Sequence, residues 1–95
     1  MARQIIWSPK ARRDLNDICE FIARDSETMA GIFARELRDC ILRISEFPSA
    51  GRIVPEIDHP SIRERIYGQY RIVYRVQETS VEIARISHCS RRMRL

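Results

Sequence analysis

Hydrophobic and polar residues alternate most regularly between residues 62 and 76, which predicts two β-strands joined by a tight turn. The second strand runs from Tyr70 to Val76. Its apolar and aromatic residues alternate with a set that contains two arginines, Arg71 and Arg75. Successive side chains of a strand point to opposite faces, so one face of the sheet packs and the other carries charge. Gly68 lies between the strands and is expected to supply a positive φ in the turn.

The register of this hairpin decides whether the arginines of its two strands share a face. A two-residue loop sets Arg71 opposite Ile66, whereas a three-residue loop, Tyr67 to Gln69, sets Arg71 opposite Arg65. Glu64 interrupts the apolar parity of the first strand. We expect the three-residue loop, which gives the sheet one apolar face and one face that carries Arg63, Arg65, Arg71 and Arg75.

Apolar residues in the first half of the chain recur at helical spacing and predict two amphipathic helices after a short strand at Gln4 to Trp7. Ser8 and Pro9 provide an N-cap and a first helical residue. Asp25 and Ser26 end that helix and cap a second one that runs to Phe47. Because the connection is short, the helices form an antiparallel pair. Their apolar stripes are Ala11, Leu15, Ile18, Cys19 and Ile22 in the first helix, and Met29, Ile32, Phe33, Leu37, Cys40, Ile41, Ile44 and Phe47 in the second.

The remaining segments contain one more strand. Prolines keep the chain irregular from residue 48 to residue 61. Ser80 to Ser87 alternates as a last strand, with Arg85 on the parity of Ile83. The basic segment from residue 88 to the C-terminus is expected to be partly mobile.

The composition fits a folded soluble domain, with 95 residues, 44% hydrophobic and 32% charged. We expect residues 1–95 to form a single domain of the α+β class. Its order is a strand, a two-helix hairpin and an antiparallel three-strand meander, with the helices packed on one face of the sheet.

Arginine dominates the basic residues of this chain, which has a net charge of +4. Of 17 basic side chains, Lys10 alone is a lysine. This bias has two interpretations of about equal weight, a recognition surface built from guanidinium groups and a genomic preference for arginine. Residues 1–47 hold 8 basic and 8 acidic side chains, whereas residues 48–95 hold 9 and 5. A negatively charged partner is therefore expected on the hairpin side.

The cysteines argue for a reducing compartment. Cys19, Cys40 and Cys89 are odd in number and widely spaced, and His59 and His88 do not complete a metal set with them. The N-terminal apolar run is too short for a signal peptide and no stretch approaches a membrane span. We expect a cytoplasmic protein that needs no metal or cofactor and does not contact a membrane.

Four motifs in this order resemble the RelE/ParE superfamily of toxins from type II toxin–antitoxin modules, across essentially the full chain. Each motif alone is weak, but the set is specific. The motifs are Trp7-Ser8-Pro9-Lys10-Ala11 with Asp14-Leu15 and Ile18, Phe47-Pro48 with Gly51-Arg52 and Pro55-Glu56, Ile62-Arg63-Glu64 with Tyr70 to Val76, and Val81-Glu82-Ile83 with His88 and Arg91-Arg92.

The resemblance implies a small bacterial protein that halts growth when free and is silenced by an antitoxin encoded beside it. Such antitoxins are largely disordered until they wrap the toxin. The complex is a toxin–antitoxin hetero-oligomer, and a free toxin could form a homodimer. RelE-like members cut mRNA in the ribosome, whereas ParE-like members poison DNA gyrase.

The residues leave both targets open. Cleavage of RNA needs a proton acceptor, a cation at the phosphate and a proton donor. By resemblance, Arg71 stands where RelE-like nucleases place an arginine at the phosphate, while Arg63 and Arg65 match lysines and Arg91 a second arginine. An equally weighted interpretation pairs Arg71 with a nearby carboxylate, either Glu56 or Glu64.

The C-terminal segment favours the ParE-like branch. RelE-like nucleases carry a tyrosine there, and nothing after His88 is aromatic. Histidine is a common general acid or base in proteins, so His88 is the candidate for that role, but a structural histidine is the stronger interpretation. The motif around Gly51 and Glu56 also resembles ParE and plasmid-stabilisation proteins. We therefore predict a gyrase-binding toxin without catalytic residues, whose target-binding residues are Arg63, Arg65, Arg71, Arg75, Arg91 and Arg92.

Two alternatives remain. One is a ribosome-dependent endoribonuclease that uses Arg65, Arg71, His88 and Arg91. The other is a non-toxic nucleic-acid-binding module, since a basic sheet face also suits simple phosphate contacts.

Overall fold

Strand β1, at Gln4–Trp7, opens the computed structural model, which describes residues 2–95. The helices α1 and α2 follow at Pro9–Ala23 and Glu27–Glu46. After a 3₁₀ turn at Pro48–Ala50, the chain forms β2 at Arg52–Ile53, β3 at Ile62–Tyr67, β4 at Tyr70–Val76 and β5 at Ser80–His88. The predicted α+β class is confirmed, and the predicted strand, two helices and three-strand meander follow in that order, with β2 as an additional strand that the sequence did not predict.

Both helices begin at the predicted serine caps. The Oγ atom of Ser8 accepts a hydrogen bond from the N–H of Ala11 at 3.0 Å, and Ser26 accepts one from the N–H of Met29 at 3.1 Å. Ser8 also donates to the carbonyl of Ala84 in β5 at 2.9 Å. The cap of α1 therefore joins the helix to the sheet.

The sheet has five strands in the order β1-β5-β4-β3-β2 within residues 2–95. The predicted meander forms its centre, as the antiparallel strands β3, β4 and β5. β1 extends the sheet by running parallel to β5, and the short β2 pairs with β3 in a stretch that was expected to be irregular.

The main core lies between the helices and one face of the sheet, as predicted. Tyr74 is fully buried in it, and its hydroxyl donates to the carbonyl of Pro48 at 2.6 Å. Gly51 packs directly on this side chain, since a Cβ at position 51 would lie 2.1 Å from the Tyr74 oxygen. The buried members of this core are Ala11, Leu15, Leu37, Cys40, Ile41, Ile44, Ile72, Tyr74, Val81, Ile83 and Ile86.

The predicted register of the hairpin is wrong. Tyr67 pairs with Tyr70, so the loop has two residues and Arg71 lies opposite Ile66. Gly68 has the expected positive φ, 59°. A three-residue loop would keep the arginines on one face, whereas the actual register brings Glu64 to the face of Arg71, where the two charges compensate each other.

The alternation predicted for β5 is also interrupted. Val73 pairs with Arg85, whereas the next residue, Tyr74, pairs with Ile83, so Ala84 forms a bulge. Because of the extra residue, Ile83 and Ile86 both reach the main core, and Arg85 does not share the side of Ile83.

A second, smaller core covers the outer face of the sheet, which carries no helix. It contains Val54, Ile62, Val73 and Met93, with Ile57 packed against them. Met93 is only 4% exposed. The C-terminal segment, which is expected to be partly mobile, is anchored at this residue, because its side chain completes an apolar cluster.

Neither helix in residues 2–95 has the length and apolar character needed to cross a membrane.

Candidate target-binding site

The structure divides the arginines that were predicted to share one face. Arg71 and Arg75 alternate with Val73 on the outer face of β4, opposite Ile66 and Ile62. Arg63 and Arg65 lie opposite Tyr74 and Ile72, and therefore on the helix side of the sheet. The expected single arginine face is wrong, because the two-residue loop shifts the strands by one position. Arg91 and Arg92 follow β5 and are exposed.

Arg71 is buried in an ion cluster. Its side chain is held by Glu56 and Glu64, and the Nη1 atom lies 2.9 Å from Oε1 of Glu64. The Nη2 atom also donates to the carbonyl of Arg91 at 2.7 Å. Arg71 is 5% exposed and Glu64 1%. The ion-pair interpretation of Arg71 is confirmed, with both candidate carboxylates as partners.

Glu56 connects this cluster to the C-terminal segment. One of its carboxylate oxygens accepts a hydrogen bond from the N–H of Met93 at 2.8 Å. The hydrogen bond from Arg71, followed by that from Met93, lowers the pKa of Glu56 to about 2. The hydrogen bond to Glu56 raises the pKa of Arg71, against the effect of burial. Glu56 and Arg71 therefore stay charged at neutral pH and anchor residues 91–93 to the sheet.

The other strand arginines are also engaged, except Arg65. Arg75 pairs with Glu82 at 2.6 Å. Arg63 donates to the carbonyl of Gly51 at 2.9 Å. Arg65 is half-buried, and in residues 2–95 it forms no ion pair within 4.0 Å.

His88 and Arg91 line a cavity of about 530 Å³ between α1 and the end of β5, which we name the His88 cavity. The Nδ1 atom of His88 lies 2.8 Å from the Ser90 hydroxyl, and Nε2 lies 3.3 Å from the Gln69 side-chain oxygen. The ring meets Tyr70 edge to face, with 5.5 Å between the ring centres. His88 is therefore held at the wall of the cavity by neighbours on two sides.

Sequence reasoning missed the residues that α1 and β4 bring to the His88 cavity. Asp14 accepts hydrogen bonds from the N–H of Ile86 at 2.9 Å and from Nε of Arg85 at 2.8 Å. It thereby occupies part of the β5 edge beyond the end of β1. Asp14 belongs to the first of the four motifs, but it lies outside the apolar stripe of α1, so helical spacing predicts no contact with the sheet. The cavity is lined by Asp14, Asp17, Ile18, Phe21, Tyr70, Arg85, Ile86, Ser87, His88, Ser90 and Arg91.

This lining is of mixed charge. Asp14 and Asp17 offset the guanidinium groups of Arg85 and Arg91. Phe21 adds an apolar side chain that is 63% exposed. A cavity with two carboxylates repels a phosphate chain more than a polypeptide, so its chemistry suits a protein surface.

Within residues 2–95, no group of three or more histidine, cysteine, aspartate or glutamate residues is placed to hold a metal ion.

Comparison with known proteins places the chain in a family. The model of the ParE toxin of the type II toxin–antitoxin system parDE matches residues 5–93. The chain belongs to this family. It is also 30% identical over 89 residues to toxin RelE2 of Caulobacter vibrioides, an alignment that covers 93% of this chain and 97% of that protein. These matches confirm membership of the RelE/ParE superfamily that the motifs indicated.

Two solved structures share the fold of this ParE-family chain. A chain of the chromosomal ParDE system of P. aeruginosa matches with a TM-score of 0.73 and 18% identity, covering 92% of this chain and 96% of that one. A chain of the toxin–antitoxin complex RelBE2 of Mycobacterium tuberculosis matches with a TM-score of 0.66 and 21% identity, covering 93% and 99%. The fold is therefore shared by a chain of a ParDE system and by a chain of a RelBE2 complex.

Proposed function

We propose that this ParE-family toxin arrests growth by binding DNA gyrase and does not cleave RNA. The observation that carries the proposal is the state of Arg71, the residue that a RelE-like nuclease would place at the phosphate. It is 5% exposed and its guanidinium group is bound by two glutamates. A phosphate would have to displace both carboxylates from a buried site, which is energetically costly.

The proposed contact surface combines the exposed arginines of the C-terminal segment with the His88 cavity. Arg91 lies at both, since it lines the cavity and is exposed. Phe21 provides the aromatic contact that protein interfaces favour beside arginine. Of the predicted target-binding residues, Arg91 and Arg92 belong to this surface, whereas Arg65 lies on the helix side of the sheet and outside the cavity lining. Arg63, Arg71 and Arg75 support the sheet.

We further propose that a cognate antitoxin neutralises this toxin in the cytoplasm, in a toxin–antitoxin hetero-oligomer. Both matched structures come from toxin–antitoxin systems and contain a chain of the same fold, which supports such a partner. The net charge of +4 favours an acidic partner. A homodimer of the free toxin stays a prediction.

A supercoiling assay tests the target. Purified toxin should inhibit plasmid supercoiling by DNA gyrase, while transcripts on translating ribosomes remain intact. Induced expression should arrest growth and provoke chromosome breaks. Normal supercoiling at a molar excess of toxin over gyrase would contradict the proposal.

A ribosome-dependent endoribonuclease is the second candidate, and the convergence of His88, Tyr70 and Arg91 in one cavity favours it. Tyr70 from β4 brings an aromatic hydroxyl beside His88, although the C-terminal segment has no tyrosine. His88 would transfer the proton and Arg91 would steady the phosphate. Codon-spaced cuts in ribosome-bound mRNA that disappear in His88→Ala would establish this activity. Harmless expression without an antitoxin would instead favour the non-toxic nucleic-acid-binding module.

A further inference from the structure

A second cavity, of about 250 Å³, is lined by β1, α1 and α2 and shares no residue with the His88 cavity. We name it the Trp7 cavity. Trp7 and Leu15 contribute apolar surface, and polar groups come from both helices. Its lining residues are Trp7, Arg12, Leu15, Asn16 and Arg38.

The two arginines of the Trp7 cavity have no carboxylate partner. Arg12 and Arg38 are exposed, and in residues 2–95 neither forms an ion pair within 4.0 Å. No acidic residue of the described chain lines the cavity. In contrast, each of Arg52, Arg71, Arg75 and Arg85 pairs with an aspartate or glutamate.

Neither Arg12 nor Arg38 has an acidic residue at the spacing that would allow an ion pair within its own helix. The positions four residues from Arg12 are Ser8 and Asn16, and those four residues from Arg38 are Ala34 and Leu42. An acidic residue at that spacing would be the usual intrahelical partner of an arginine. The hairpin of α1 and α2 therefore brings two unpaired guanidinium groups to one small cavity.

We propose that the Trp7 cavity binds the carboxylate of an acidic side chain from the antitoxin polypeptide. Two guanidinium groups from different helices suit a carboxylate, and the apolar surface of Trp7 and Leu15 suits its methylene groups. Leu42 lies one helical turn beyond Arg38 and is 54% exposed, so an apolar contact is available beside the charged one. This combination fits an amphipathic acidic segment better than a phosphate chain. The identity of the partner rests on the proposed function.

Trp7 provides the readout, because it is the only tryptophan of the sequence. Its fluorescence is followed while the toxin is titrated with a short amphipathic peptide of leucine and glutamate, or with a counterpart that carries glutamine in place of glutamate. The glutamine peptide should bind about tenfold more weakly, since it lacks the charge-assisted hydrogen bonds to the two guanidinium groups.

Two double variants distinguish binding in the Trp7 cavity from nonspecific attraction of the acidic peptide to the positively charged protein. Arg12→Ala with Arg38→Ala should weaken the glutamate peptide about tenfold or more. The matched control, Arg13→Ala with Arg35→Ala, removes the same charge from exposed positions outside the cavity and should change binding less than about threefold. All four side chains are exposed, so circular dichroism should report an unchanged fold.

Three outcomes would overturn the proposal. These are equal binding of the two peptides, equal effects of the two double variants, and tighter arginine-dependent binding of a single-stranded RNA oligonucleotide than of the acidic peptide. Gyrase inhibition is measured on the same proteins and should persist in Arg12→Ala with Arg38→Ala. A wild-type toxin that binds the peptide as expected but leaves gyrase active would refute the target and not the cavity.

Discussion

Arg71 is a charged residue within a sheet and has almost no access to water. It is stable there because two carboxylates and one carbonyl accept hydrogen bonds from its Nη1 and Nη2 atoms. A buried charge without such partners would cost several kcal/mol. The cluster also explains Glu64, which interrupts an apolar parity in the sequence and is one of the acceptors. Residue types alone predicted the possible pairs, but not that both glutamates bind the same arginine.

Loss of Arg71 should therefore be costly. Arg71→Ala removes the arginine partner of Glu56 and leaves the buried Glu64 with Arg52 alone, so it should lower the free energy of unfolding by about 3 kcal/mol, measured by urea denaturation. Arg75→Ala is the matched control on the same face, since its pair with Glu82 is partly exposed and should contribute at most about 1 kcal/mol. Similar losses in the two variants would refute a special role of the cluster.

Glu56 makes the stability of the folded protein depend on pH. Its folded pKa of about 2 lies below the ordinary value of 4.5, so the folded state favours the charged form. The stability that this provides is complete above pH 4.5 and is lost as the pH falls towards 2. Urea midpoints of the wild type should therefore fall across this range, and those of Glu56→Gln should fall less. Parallel pH curves for the two proteins would contradict the assignment.

At the scale of the elements, the caps and stripes of the helices were predictable because each depends on neighbours within one turn. Ser8 and Ser26 are both caps, as local chemistry required. The bulge at Ala84 was not predictable, since it depends on packing between two strands. The same division applies to the glycines. Gly51 matters through a distant side chain, whereas Gly31 matters only through helix propensity.

Gly51→Ala should destabilise the protein, because the new methyl group would meet the Tyr74 oxygen at 2.1 Å and the Glu64 carbonyl at 2.7 Å. We expect a loss of at least about 2 kcal/mol in thermal or urea unfolding. Gly31→Ala is the opposite case, with nothing within 4 Å of the new atom in the interior of α2. It should raise stability by up to about 1 kcal/mol. A neutral Gly51→Ala would show that the 3₁₀ turn moves away from Tyr74.

At the scale of the whole molecule, the C-terminal segment has two roles. Its backbone and Met93 dock on the outer face of the sheet through Glu56, Arg71 and the second core. The side chains of Arg91 and Arg92 point outward and are exposed. The docked backbone thus orders the arginines that we assign to the target.

The two roles should separate by mutation. Arg91→Ala with Arg92→Ala should weaken gyrase inhibition about tenfold and leave stability within about 0.5 kcal/mol. Met93→Ala should instead lower stability by about 2–3 kcal/mol, because it empties part of the second core. Arg13→Ala with Arg35→Ala, at exposed positions of α1 and α2 outside both cavities, removes the same charge and is the control, which should change neither quantity. Unchanged inhibition in the double variant would remove these arginines from the contact surface.

The starts of both helices, the main core, the family and all strands except β2 were predictable from the amino-acid sequence, because they follow from local spacing and from motifs. The register of the hairpin, the parallel pairing of β1 with β5 and the docking of Met93 became apparent only in the folded structure. The folded structure also shows that Arg71 is buried, whereas Arg91 is exposed. These depend on which strands and charges meet across the fold, and a change of one residue in register moves every side chain of a strand to the other face.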